Sequence, residues 1–226
     1  MAKRKTQAKT ADQDGQAGKN GEGGRPHAIV TAAMTLAAER DWRDIALSDI
    51  AAAAGLSLSD LLAAFPSKPA ILDGFARDID RRMLAGFEPE PDSGSARDRL
   101  FDVLMRRFDA LDPYKPALAG ILRAAWQDPL AGMAMGGTVF RAMGLALEAA
   151  GIASDGAVGT LRRKALGVLY AATLRDWLKD DSADKSRTMA ALDGRLRRVE
   201  GWAKSLESLS LRRGRASQGE DGSRRG

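Results

Sequence analysis

The chain has 226 residues, no cysteine, one histidine, 5% aromatic residues and a formal net charge of +5. Without cysteine there is neither a disulfide framework nor a thiolate metal site. No apolar stretch follows the initial Met-Ala-Lys-Arg-Lys and no window has the length needed to cross a bilayer, which gives the expectation of a cytoplasmic chain or one peripheral to the inner face of a membrane. The charge lies at the ends. Residues 1–24 hold five basic against three acidic side chains and residues 212–226 five against two, so the body between them is neutral. Both ends read as disordered basic tails, because Gly, Lys, Gln, Arg and Ser without apolar periodicity cannot bury enough to offset the entropy of ordering.

The body, rich in Ala, Leu, Arg and Asp and poor in β-branched runs, predicts helices throughout. A first helix runs from about Pro26 to Glu39. Leu47, Ile50, Ala51 and Ala54 then recur at helical spacing on one apolar face, and Gly55 ends that helix in the left-handed conformation a tight turn needs. Ser57 is placed to cap the next short helix, 58–64. Together they read as a helix-turn-helix. A fourth helix runs from Lys68 to Gly86, followed by the linker Glu88-Pro89-Glu90-Pro91-Asp92-Ser93-Gly94.

These residues carry a resemblance. Ile29, Ala32, Ala33, Leu36, Ala37, Trp42, Asp49-Ile50-Ala51, Ala54-Gly55-Leu56-Ser57 and Phe65-Pro66-Ser67-Lys68 resemble the amino-terminal domain of TetR-type transcriptional regulators. The resemblance covers about sixty residues, 25–87. It implies that the helix Leu58–Ala64 enters a DNA major groove, with Ser57, Leu58, Ser59, Asp60 and Ala63 facing it and Lys68 against a phosphate. It also implies a homodimer. The groove helix departs from the family in offering Leu58, Ser59, Asp60, Leu62, Ala63 and Ala64, where base edges are commonly read by Arg, Lys, Asn and Gln. A neutral body also lacks the basic footprint of most DNA-binding surfaces, so strong attraction to a polyanion must come mainly from the tails.

Beyond the linker, Ser95 caps a helix with Leu100, Phe101, Leu104, Phe108 and Leu111 on one face, stopped by Asp112-Pro113. Further helices are predicted over 115–127, 130–150, 157–178 and 182–211, giving an all-α chain of about nine helices: a helix-turn-helix domain over 25–87 and a helical ligand-binding and dimerisation domain over 88–211. In this second part Thr160 to Leu174, Trp177-Leu178, Asp180-Asp181-Ser182, Thr188, Leu192-Asp193 and Arg195, with Arg81 to Leu84 and Ala96 to Leu100, resemble the lipid-binding accessory protein of ubiquinone biosynthesis. That family shares the TetR fold. The resemblance implies an isoprenoid lipid in the larger domain and loss of DNA recognition.

Met133, Met135, Phe140, Met143 and Leu147, interleaved with glycines, suit either an adaptable apolar cavity or an irregular core. Trp126, Tyr170 and Trp177 read as packing anchors whose polar ends can also orient a hydrophobic ligand. In the last helix Leu196, Val199, Trp202, Leu206 and Leu209 form a stripe beside a basic face, suited to helix packing, a dimer seam or an anionic membrane surface. Catalysis finds no constellation. His27 sits in a first helical turn without a cleft, and Asp180, Asp181 and Asp184 read as caps rather than metal ligands. No cofactor is expected. The reading is a TetR-type regulator responding to a hydrophobic small molecule, with the lipid-binding accessory protein as the alternative.

Overall fold

The computed structural model describes residues 11–87 and 94–200, which are helical with no strand among them. The elements are α1 (Ala11–Glu39), a 3-10 turn (Trp42–Asp44), α2 (Leu47–Ala53), α3 (Leu58–Ala64), α4 (Lys68–Leu84), α5 (Ala96–Leu111), a second 3-10 turn (Asp112–Tyr114), α6 (Lys115–Gln127), α7 (Pro129–Ala149) and α8 (Gly156–Trp177). A last helix, α9, occupies 186–200. The linker 88–93, the tail from 212 and the positions Trp202 and Leu206 lie outside the described residues. α1 begins at Ala11 and carries Pro26 inside it, earlier than the helix start near Pro26 read from the sequence. Once the packed part of a helix exists, extending it costs far less than nucleating it, and Pro26 removes one ladder hydrogen bond without ending the helix.

The chain divides into two compact units: the described residues to Ala85 with Asp109–Ala142, and Gly86–Phe108 with the residues from Met143 onward. α6 and the start of α7 cluster with the amino-terminal unit. In the first unit α1 packs on α2, α4 and α6. Its interior holds Ile29, Ala33, Met34, Ala37, Trp42, Ile45, Ile50, Leu61, Ile71, Ile79 and Ile121. Asp73 of α4 accepts from Thr138 of α7 at 3.0 Å and pairs with Arg77 and Arg141. The Arg43 guanidinium donates to Gln127 at the end of α6.

In the second unit Phe108 lies against Tyr170 with ring centroids 5.4 Å apart and against Trp177 at 5.8 Å, and all three are buried. The Arg107 guanidinium, also buried, donates from Nε to the Tyr170 hydroxyl at 3.2 Å. α9 docks through Leu192 and Leu196, both buried. Asp180 fixes its first turn: one carboxylate oxygen accepts from the backbone and hydroxyl of Thr188 and the other from those of Ser182. These hydrogen bonds, chiefly the Ser182 hydroxyl, hold Asp180 well below the usual carboxylate range. Asp184 accepts from Ser186 N–H at 3.1 Å, again at the helix start.

Candidate nucleic-acid interface

The helix-turn-helix begins with a cap built by Asp49, whose carboxylate accepts from Ala46 N–H at 3.1 Å before the first turn of α2. Arg40 stands 3.4 Å from the same carboxylate. At the other end Gly55 takes a φ of +68°, and Leu56 N–H donates to Ala51 C=O at 2.9 Å while Gly55 N–H donates to Ala52 C=O at 3.1 Å. This double closure satisfies the orphan carbonyls of α2 and requires a residue without a Cβ penalty. From α2 to α3 the axis turns by 103°, within the range of helix-turn-helix motifs.

α3 then starts on a reciprocal cap. Ser57 Oγ accepts from Asp60 N–H at 3.1 Å and donates its own proton to the Asp60 carboxylate at 2.6 Å. That bond leads the causes that lower the Asp60 pKa, with Arg25, 4.0 Å away, adding to it. An acid in the first turn also suits the positive end of the helix dipole. Leu61 is the inward anchor of α3 and is fully buried; Phe65, at its end, lays its ring across the α4 backbone so closely that a Cβ on Gly74 would come within 2.7 Å of it. The other side of α3 faces outward. Leu58 is 44% and Leu62 43% exposed, and Ser59, Asp60, Ala63 and Ala64 are exposed as well.

Lys68 is engaged within its own unit. Its ammonium donates to the carbonyls of Trp42 and Ile45, the latter at 2.8 Å, and lies over the Trp42 ring, 4.7 Å from the centroid. An ammonium has three protons and two are committed here, which leaves at most one for a phosphate. Burial lowers its pKa, opposed by the charges of Asp41 and Asp44. Lys68 thus clamps the start of α4 to the 3-10 turn, and it orients the helix-turn-helix whatever else it touches. Ser67 caps α4 by accepting from Ala70 N–H at 3.3 Å.

The six residues named as ligand contacts are divided between the two units, three in each. Trp126 and Met133 are 71% and 75% exposed in the first unit, and Phe140 is half-buried there. Met143, Tyr170 and Trp177 are buried in the second, packed as core. In α9, Leu196 is consumed by packing inside its own unit while Val199 is 43% exposed. Sequence reading missed the exposed stripe of α8: Val158, Leu161, Ala165 and Val168 lie outside, spaced three, four and three apart. That spacing is the seam pattern of paired helices and was legible in the sequence.

No family model and no curated protein matches the sequence. Solved structures do. A TetR transcriptional regulator from Nitrosomonas europaea ATCC 19718 is 26% identical with a TM-score of 0.61, the match covering 76% of this chain and 95% of that one. A TetR transcriptional regulator from Rhodococcus sp. RHA1 is 24% identical, TM-score 0.55, over 76% and 95% of the two chains. A TetR-family transcriptional regulator from Streptomyces coelicolor is 21% identical, TM-score 0.50, over 84% and 90%.

The chain has the TetR fold. Within the TetR fold of this chain the capped helix-turn-helix and its outward α3 are intact, as the amino-terminal resemblance implied. The resemblance of the second half to the accessory protein of ubiquinone biosynthesis finds no counterpart among these structures.

Proposed function

We propose that this protein is a homodimeric DNA-binding transcriptional regulator that responds to a hydrophobic small molecule. The observation that carries the reading is α3: capped by Ser57 and Asp60, anchored by the buried Leu61 and exposed on its remaining faces, it has the form of a helix built to enter a groove. In this reading residues 25–87 dock on DNA through Ser57, Leu58, Ser59, Asp60 and Ala63, Lys68 positions the head, and 88–211 serve effector binding and dimerisation. The basic residues of the two tails supply the non-specific attraction that the neutral body lacks. The exposed stripe of α8 supports the dimer, since two such stripes bury each other in a helical seam.

The test is selection from a random duplex library followed by titration at several salt concentrations. A regulator gives a palindromic enriched sequence and affinity that falls steeply as salt rises. Binding without sequence preference overturns the reading.

A second reading, the lipid-binding accessory protein that has lost DNA recognition, draws support from the absence of Arg, Lys, Asn and Gln on α3 and from the neutral body. It requires an isoprenoid or acyl lipid carried through purification, and it permits contact with a membrane face through α9. Native mass spectrometry of the purified chain separates the two readings. A mass matching the bare polypeptide removes the lipid reading.

A further inference from the structure

The outward face of α3 has an unusual composition for a surface that meets base edges. Over Leu58–Ala64 the polar side chains are Ser59 and Asp60, and Asp60 is already engaged, accepting from Ser57 Oγ at 2.6 Å with Arg25 at 4.0 Å. What remains is apolar: Leu58, Leu62 and Ala63, with the two leucines each more than two-fifths exposed. In the major groove the base pairs present hydrogen-bond donors and acceptors and one apolar group, the C5 methyl of thymine. Leucine side chains answer only that last group. One helical turn separates Leu58 from Leu62, about 6 Å along the axis, which matches about two base steps at roughly 3.4 Å each.

The net charge of +5, carried by the two ends of the chain, favours a polyanion over an apolar partner for this protein. Arg25, itself exposed, stands beside Asp60 at the start of α3. Residues 1–24, which precede it, carry Lys3, Arg4, Lys5, Lys9 and Lys19 against Asp12, Asp14 and Glu22. We infer that, on the regulator reading above, Leu58 and Leu62 recognise thymine through its C5 methyl, so that each half-site is specified by two thymines about two steps apart rather than by hydrogen bonding to guanine or adenine. Ser59 supplies the single hydroxyl of the face, and removal of water from leucine and methyl supplies the discrimination.

The experiment uses the full chain and a duplex enriched from a random library, in which each thymine is replaced in turn by uracil. Uracil keeps the O4 acceptor and lacks only the methyl. Binding is expected to weaken about fourfold at each contacted position, with two such positions per half-site. A Leu62→Ala variant, unchanged in helicity by circular dichroism, is expected to bind the thymine and uracil duplexes equally at one of them. An enriched duplex that tolerates uracil everywhere overturns this inference and leaves the regulator reading standing. Failure to enrich any sequence overturns both. In that case, binding to phosphatidylglycerol vesicles that is lost in Leu62→Ser assigns the face to a lipid surface instead.

Discussion

α3 and α8 each show several apolar side chains to solvent, and they do so on different scales. α3 is seven residues long and exposes Leu58 and Leu62 beside a polar cap. α8 is twenty-two residues long and exposes Val158, Leu161, Ala165 and Val168 in a three-four-three register. A short helix with two exposed leucines offers too little area for stable protein association, whereas a stripe over three turns joined to its symmetry copy can build a seam. Exposed apolar residues are therefore not one signal. Length, register and the polar groups beside them decide what they fit.

The inward and outward faces of the short helix differ most at its anchor. Leu61→Ala empties a fully buried position and is expected to cost about 2–5 kcal/mol, measured as loss of thermal stability, while Leu62→Ala on the outward face stays within about 0.5 kcal/mol. Equal losses from the two substitutions would mean that α3 is not oriented as described. For α8, charges at the seam in Leu161→Asp with Val168→Asp are expected to convert a dimer to a monomer by light scattering, with helicity preserved. A dimer that survives both changes places the seam elsewhere.

The cap of α3 contributes less than its anchor. Ser57→Ala removes both halves of the reciprocal hydrogen bond and is expected to cost about 1 kcal/mol, seen as a lower melting temperature together with weaker binding to any selected DNA. The smallest effect is acid sensitivity. The carboxyls of Asp60 and, at the start of α5, Asp98 titrate below their ordinary value, Asp98 at about 2 through Arg97 and Ser95. A depressed folded pKa contributes stability that is complete above the unfolded pKa near 3.8 and is lost as pH falls through the folded one. Helicity followed from pH 5 to pH 2 should decline in that window. In Asp98→Asn, which cannot titrate, the part of the decline belonging to α5 should disappear.

The helix-turn-helix was legible because its signals are local. Gly55, Ser57 and Asp60 specify turn and cap within six residues, and the spacing of Leu47, Ile50 and Ala51 fixes which side of α2 is inward. Lys68 was legible as a residue but not as a conformation: its ammonium is captured by carbonyls of Trp42 and Ile45, over twenty positions earlier in the chain. The ligand residues show the same dependence on distant neighbours. Trp126 shares its aromatic chemistry with Tyr170 and Trp177, yet the first is exposed and the other two are packed around Phe108. Composition cannot tell these cases apart, because the same aromatic or thioether satisfies a core, a pocket or an interface.

What the sequence determined by itself was the run of helices, their stops at glycine and proline, and the caps that begin them. Each of these is an interaction between residues a few positions apart, whose energy does not depend on where the rest of the chain lies. What only tertiary structure decided was which face of each helix is spent on its own unit: Leu61 and Leu196 inward, Leu62 and the α8 stripe outward. Burial is a property of neighbours distant in sequence, and the apolar pattern along one helix states how much must be covered without naming what covers it.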